Sequence, residues 1–171
     1  MVKIRIATTA DTEVLALLGR VTWEESHGHY IDDKNNLLEY LNNNFSVPKT
    51  KKEINNPKNL FYIMHVDDVP AGYAKIILKE NQESVASQNS CRLERIFIQN
   101  EFIALKVGQQ LLTFVEERAN ALQFDTMWLS VYIKNKRAIR FYEKNEFKNV
   151  GDLNFIVNGK AYDNIVFSKN I

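Results

Sequence analysis

One stretch constrains the fold more than any other: Arg92 to Leu112, RLERIFIQNEFIALKVGQQLL. Its first part reads as a strand at about Cys91 to Ile98. Leu93, Ile96, Phe97 and Ile98 are apolar there, with Glu94 and Arg95 set among them. A polar break follows at Gln99-Asn100-Glu101, then a loop ending in Val107-Gly108. From Gly108 the spacing of Leu111, Leu112, Val115, Ala119 and Leu122 predicts a helix. A strand that feeds a helix through a tight loop leaves the first-turn N–H groups unpaired, at the positive end of the helix dipole. Such an end suits a phosphate or pyrophosphate. The same unit joins core elements throughout α/β proteins, so by itself it allows a purely structural loop as well.

The rest of the chain supplies the frame. With 171 residues, 45% of them apolar and 25% charged, one domain with a full core is expected. Lys plus Arg number 22 and Asp plus Glu 21, which gives no electrostatic case for nucleic acid or membrane as a partner. A single cysteine, Cys91, rules out an internal disulfide and fits a reducing, cytoplasmic setting. No apolar run approaches the ~20 residues that cross a bilayer, and the N-terminus does not read as a signal peptide.

Val2 to Ala7 alternates as a strand. Thr8 or Thr9 can cap a helix carrying Val14, Leu15, Leu17, Leu18 and Val21, which should end near Gly28. A second helix, about Asp33 to Phe45, is expected to bury Leu37, Leu38, Leu41 and Phe45, and Pro48 opens a short polar third. Leu60 to Val66 and Ala71 to Leu78 form a hairpin across Asp67-Asp68-Val69-Pro70. Lys79 to Asn89 reads as a loose loop. Beyond the opening stretch come a strand at Thr126 to Tyr132, a short helix at Asn135 to Lys144, and a hairpin of Phe147 to Val157 with Ala161 to Phe167. Asn158-Gly159 is its turn. The order predicts a mixed sheet with helices on both faces.

A second stretch, WLSVYIKNKRAIRFYEKNEF, adds specificity. Asn135 stands between strand and helix, where it can cap the helix or hold a ligand amide. Ala138 leaves room beside the helix, and Tyr142, seven residues on, lies on the same helix face as Asn135. The pattern N-x-x-A-x-x-x-Y-E-K-x-x-F resembles the end of the GNAT-type N-acetyltransferases, and LERIFI before a helix-opening Gly resembles their acetyl-CoA strand and pyrophosphate loop. The order of elements resembles theirs over nearly the whole chain. The resemblance implies a mixed, mostly antiparallel, seven-stranded sheet in an α/β (α+β) fold, a splayed central strand pair, and acetyl-CoA as cosubstrate. One departure stands out. Where the family loop reads Gln/Arg-x-x-Gly-x-Gly or Ala, this chain has Ile103-Ala104-Leu105-Lys106-Val107-Gly108, with Lys106 at the middle Gly and only Gly108 matching.

The resemblance assigns roles residue by residue. Ile96, Phe97 and Ile98 would offer backbone groups to the pantetheine amides, as an added strand does. A backbone N–H near Phe97 would face the acetyl carbonyl and stabilise its oxyanion by ~3 kcal/mol. Ile103 to Gly108 and Gln109 would hold the pyrophosphate. Asn135, Arg137, Ala138 and Lys144, with Lys136, would line the CoA, although charges on an exposed helix are equally often just solvated. Tyr142 would supply a proton to the leaving thiolate, its plain reading being a core tyrosine. Glu94 is either a base acting through water or an ion-pair partner of Arg92 or Arg95. Cys91 reads as a buried small apolar group. His27, His29 and His65 show no metal-ligand spacing, so no metal is expected.

For the acceptor, the joint between the first two helices reads W-E-E-S-H-G-H-Y-I-D-D. Glu24, Glu25, Asp32 and Asp33 beside Trp23 and Tyr30 suit a polycation, though acids at a helix end are common. E-R-I-F-I-Q-N-E-F and R-A-I-R-F-Y-E-K-N-E-F resemble the branch with the PaiA-type spermidine/spermine N-acetyltransferases, which implies a polyamine acceptor. A protein N-terminal or lysine acetyltransferase, and a non-catalytic acyl-CoA-binding module, stay open beside it. A homodimer through the final hairpin is implied by family habit.

Overall fold

Seven strands share one sheet: β1 (Val2–Ile6), β2 (Asn59–Val66), β3 (Val69–Ile77), β4 (Ser90–Ile98), β5 (Thr126–Tyr132), β6 (Lys148–Val157) and β7 (Lys160–Asn170), in the spatial order β1-β2-β3-β4-β5-β7-β6. Six α-helices accompany them: α1 (Thr12–His27), α2 (Lys34–Phe45), α3 (Val47–Ile54), α4 (Asn100–Ile103), α5 (Val107–Ala121) and α6 (Lys136–Lys144). The computed structural model describes every residue, Met1–Ile171. By internal contacts the chain forms two compact units, Met1–Ile76 with Arg95–Val115, and Ile77–Glu94 with Glu116–Ile171.

In the first unit β1 pairs antiparallel with β2, from Val2 opposite Val66 to Ile6 opposite Tyr62. The β2–β3 turn has positive φ at Asp67 (48°) and Asp68 (65°), the conformation a two-residue hairpin requires. Leu15 and Leu18 of α1 pack with Phe61, Ile63 and Tyr73 of the sheet, and Ala7, Ile54 and Phe97 cover that cluster. The buried stripe of α1 is Leu15, Leu18, Gly19, Thr22 and Trp23, whereas Val14 and Leu17 face out. On α2, Tyr40, Leu41 and Phe45 are buried and Leu38 is exposed, which corrects the expected stripe.

A half-buried carboxylate ties this unit together. Glu53 on α3 accepts two hydrogen bonds from Arg95 (3.0 and 3.3 Å) and stands 3.3 Å from the Lys75 ammonium. Arg95 also lies over the Phe45 ring at 5.0 Å and Lys75 over Phe61 at 5.6 Å. Near the N-terminus, Asp11 takes two bonds from Arg5, at 2.6 and 2.8 Å, and one from the Thr8 N–H at 2.8 Å. The Arg5 guanidinium, with help from Thr8 and against the cost of burial, holds the Asp11 carboxyl down to about 2 from the ordinary 3.8. A depressed carboxyl stabilises the fold only while ionised. Its share, about 1–2 kcal/mol, is therefore complete above the unperturbed value and lost as pH falls through the folded one. In urea titrations Asp11→Asn should cost that amount at neutral pH, and the two chains should converge near pH 2.

In the second unit β5 pairs antiparallel with β7 along its whole length, from Thr126 opposite Asn170 to Tyr132 opposite Asn164, and β7 pairs with β6. The β6–β7 turn has positive φ at Asn158 (47°) and Gly159 (81°), as its sequence predicts. The first three residues of β4 pair in parallel with the first three of β5, Ser90–Arg92 against Thr126–Trp128. The stretch before β4, expected as a loose loop, is anchored instead. Val85 packs with Trp128 and Val166, the Trp128 indole N–H donates to the Glu80 carbonyl, and Arg92 pairs with the Glu80 carboxylate at 2.9 Å while lying 4.9 Å over the Trp128 ring.

Candidate functional site

The end of β4 is held against β3 more closely than a side chain permits. A Cβ on Gly72 would come within 2.3 Å of the Phe97 carbonyl oxygen and 2.6 Å of Ile98 Cδ1. The Gln99 N–H then donates to the Ala71 carbonyl at 2.9 Å, and the Gln99 side chain to the Pro70 carbonyl at 2.7 Å. Ile96, Phe97 and Ile98 are each only half-buried, unlike the preceding Leu93. Partly exposed apolar side chains on an inner strand mark a surface that a ligand can cover.

The loop after β4 needs correction. Gln99 to Lys106 is a short helical passage, α4 and a turn. The Phe102 N–H donates to Gln99, Leu105 to Phe102 (3.1 Å) and Lys106 to Ile103 (3.0 Å). The amides of Leu105 and Lys106, assigned to a pyrophosphate from the sequence, are therefore used within the turn. The donors for an anion narrow to Val107 and Gly108, in the first turn of the 15-residue helix α5. Lys106 has φ 57°, the left-handed conformation that glycine adopts freely and a lysine does not. The backbone thus keeps the shape of a glycine at the position where the family pattern has one. Ile103 is half-buried, Ala104, Leu105 and Gln109 are exposed, and Val107 is buried.

Gly108 tests whether a nucleotide fits. A Cβ there would meet only Ile98 Cγ1, at 3.7 Å, an ordinary contact, and its φ is not positive. The first turn of α5 therefore has open space beside Gly108.

On α6, Asn135 is the N-cap: its side-chain oxygen accepts the Ala138 N–H at 3.1 Å, which leaves one lone pair of that oxygen and its Nδ2 for a ligand. Ala138 is half-buried, while Lys136, Arg137, Arg140 and Lys144 are exposed and give the helix a cationic outer surface. Tyr142 is buried at 8% exposure among Phe141, Phe147 and Phe167, with ring centroids 5.3, 5.6 and 6.4 Å away. Burial pushes its phenol well above the usual range, so it stays a neutral hydrogen-bond donor. Glu94 is half-buried; on the same strand Arg92 pairs with the Glu80 carboxylate and Arg95 with that of Glu53.

At the α1–α2 joint, Trp23 is buried at 5% exposure, stacked on His27 (5.1 Å) and packed at a tilt against Tyr40 (4.4 Å). It is a core residue there rather than a displayed face. Glu24 and Asp32 are exposed, Tyr30 half-buried. Glu25 accepts the Asn100 N–H at 3.0 Å, tying the end of α1 to the start of α4. The neighbours of Phe97 that sequence reasoning missed are Gly72, Tyr73 (5.8 Å between rings) and His27 (6.1 Å). Only a glycine inside a strand pattern hinted at the first.

The model of the acetyltransferase (GNAT) family matches residues 21–147. An uncharacterized N-acetyltransferase in the pepI 3'region of Lactobacillus delbrueckii subsp. lactis is 24% identical over 168 residues, covering 98% of this chain and 96% of that one. Among solved structures, a PaiA N-acetyltransferase from Thermoplasma acidophilum in complex with coenzyme A superposes with a TM-score of 0.76. It is 21% identical and covers 100% of this chain and 99% of its own. A GNAT-family acetyltransferase from Streptococcus pneumoniae gives a TM-score of 0.70 at 22% identity, with full coverage of both chains.

Proposed function

The chain belongs to the GNAT acetyltransferase family, hence is an acetyl-CoA-dependent N-acetyltransferase, and we propose that its acceptor is a polyamine such as spermidine or spermine. The observation that carries the acceptor reading is the exposed acidic joint after α1, where Glu24 and Asp32 face solvent beside Tyr30. Carboxylates at that spacing draw a flexible polycation at little desolvation cost. Trp23 contributes by bracing the joint from inside.

In this reading acetyl-CoA supplies the acetyl thioester, and the chain binds and orients it. The pyrophosphate takes the first turn of α5 at Val107 and Gly108. The pantetheine takes the backbone of Ile96 to Ile98, and the Phe97 N–H faces the acetyl oxygen. Arg137 and Lys144 meet CoA phosphates, with Asn135 and Ala138 beside them. Tyr142 donates to the departing sulfur, and Glu94 serves the acceptor through water.

Lys106 offers a separable check, because its two effects oppose each other. Lys106→Gly relieves the left-handed strain and should raise stability by about 0.5–1 kcal/mol in thermal melts. Loss of its charge should weaken acetyl-CoA binding about threefold to tenfold by calorimetry.

The acceptor is tested by thiol release or label transfer across spermidine, spermine, lysine peptides and aminoglycosides. Turnover should be greatest with the polyamines. No turnover with any polyamine, beside clear turnover of a peptide, removes the acceptor reading.

A further inference from the structure

A helix begins with N–H groups that its own carbonyls cannot reach, and the residue before it usually supplies an oxygen to them. The N-cap of α4, Gln99, supplies no side-chain oxygen. Its side chain is committed to β3, where it donates to the Pro70 carbonyl at 2.7 Å. The Gln99 carbonyl takes the Phe102 N–H at 3.0 Å. The Asn100 N–H finds its acceptor on a different helix: Glu25 Oε2, at 3.0 Å and 75 residues earlier. We infer that Glu25 is a positioning residue for acetyl-CoA, a cap supplied by α1 to the passage that carries the pyrophosphate seat, rather than a ligand of the amine. The inference rests on the acetyl-transfer reading above.

The geometry shows how a bond at Asn100 governs atoms at Gly108. The start of the passage is pinned from two sides. β3 takes the Gln99 N–H at the Ala71 carbonyl (2.9 Å) and its side chain at Pro70, and α1 takes the Asn100 N–H. From there a chain of short-range bonds runs to α5: Phe102 to Gln99, Leu105 to Phe102, Lys106 to Ile103 and Gln109 to Lys106. The start of α4 therefore sets where the Val107 and Gly108 amides stand. The platform is firm, since Trp23, two residues before Glu25, is buried against Tyr40 and Phe45. A carboxylate suits this place because the N-terminal end of a helix is positive and a charged acceptor makes the stronger bond. Glu24 and Asp32, exposed at the same joint, stay with the amine.

Three possible roles for Glu25 move acetyl-CoA and amine in different directions. A carboxylate that acts only through its charge opposes an anionic cofactor, so its removal tightens acetyl-CoA binding. A carboxylate that holds the amine raises the amine KM when removed and leaves acetyl-CoA alone. A cap does the reverse: Glu25→Ala should weaken acetyl-CoA about tenfold by calorimetry, with kcat and the KM for the best acceptor of the amine panel nearly unchanged. Glu25→Gln keeps an oxygen for the Asn100 N–H and should bind acetyl-CoA within about threefold of the native chain. Asn100→Pro attacks the same bond from the other side. Proline suits a first helical position, and Gln99 already has the extended backbone (φ −59°, ψ 141°) that a residue before proline adopts. This variant should match Glu25→Ala, and the double variant should be no worse than either alone. Tighter acetyl-CoA binding by Glu25→Ala overturns the inference, as does a raised amine KM at unchanged acetyl-CoA affinity. So does a Glu25→Gln as weak as Glu25→Ala, or additive losses in the double variant. All of these leave acetyl transfer in place. A native chain that does not bind acetyl-CoA overturns the acetyl-transfer reading, and this inference with it.

Discussion

Gly72→Ala is expected to cost about 3 kcal/mol of stability and more than tenfold in acetyl-CoA affinity, whereas Gly108→Ala should lose affinity alone. The contrast follows from what each added methyl meets. At position 72 the methyl carbon would lie 2.3 Å from a backbone oxygen and 3.1 Å from Ile98 Cα, and neither can rotate away. β3 and β4 would have to part, which breaks the packing of Phe97 on Tyr73 and the bond from the Gln99 N–H to Ala71. Overpacking of this kind typically costs 1–3 kcal/mol where side chains yield, and the upper end applies where backbone must. Because the displaced atoms are those proposed to face pantetheine, affinity falls with stability. At position 108 the methyl meets one side-chain carbon at 3.7 Å. The folded chain has room for it, and alanine's helix preference should hold or raise stability by up to ~1 kcal/mol. Any loss of acetyl-CoA binding there, expected at about a hundredfold, then comes from the methyl standing where the pyrophosphate approaches. Calorimetry beside urea melts separates the two. If Gly108→Ala binds acetyl-CoA like the native chain, the nucleotide does not sit on the first turn of α5.

How far the sequence could be read depended on the range of the forces involved. The two-residue turn at Asn158-Gly159 was legible because a hairpin of that length demands left-handed residues; the turn after β2 was placed correctly but read too long, since Val69 and Pro70 already belong to β3. The hydrophobic spacing of α5 was largely legible, since Leu111, Leu112, Val115 and Ala119 are all fully buried, whereas Leu122, expected in the same stripe, lies past the helix end at Ala121 and is exposed. On α1 and α2 the helices were found but their faces were misjudged. Small or polar Gly19, Thr22 and Tyr40 are buried while Leu17 and Leu38 are not, because a helix against aromatic rings wants fit as much as hydropathy. The opposite error hid the turn at Lys106: without glycine in the letters, nothing local announces a left-handed residue.

Charge pairing was the least legible part. The two arginines of β4 illustrate it: Arg95 reaches Glu53, 42 residues earlier, and Arg92 reaches Glu80. A buried arginine goes to whichever carboxylate the tertiary fold brings within hydrogen-bond reach, and no periodicity carries that information.

Tyr142→Phe should leave the fold and acetyl-CoA affinity intact and lower kcat about a hundredfold. The substitution removes one oxygen from a ring enclosed by Phe141, Phe147 and Phe167, a setting in which phenylalanine fits at least as well. Stability should therefore change by about 1 kcal/mol or less. Catalysis should respond differently, because the hydroxyl is proposed to donate to the sulfur as the C–S bond breaks. Burial that raises the phenol's pKa keeps the proton on oxygen at every physiological pH, so the group is always in its donating form. A thiolate is less basic than such a phenoxide, so the proton should be shared in a hydrogen bond during C–S cleavage rather than handed over beforehand. General acid assistance of this kind contributes about 10²-fold or more. The loss should appear in kcat with the KM values for both substrates nearly unchanged, since the contact strengthens only as charge develops on sulfur. A thioester with a more acidic leaving thiol should recover much of the lost rate, because its thiolate needs less help. If Tyr142→Phe turns over within threefold of the native chain, the residue is a packed core tyrosine, and the proton reaches the thiolate from solvent.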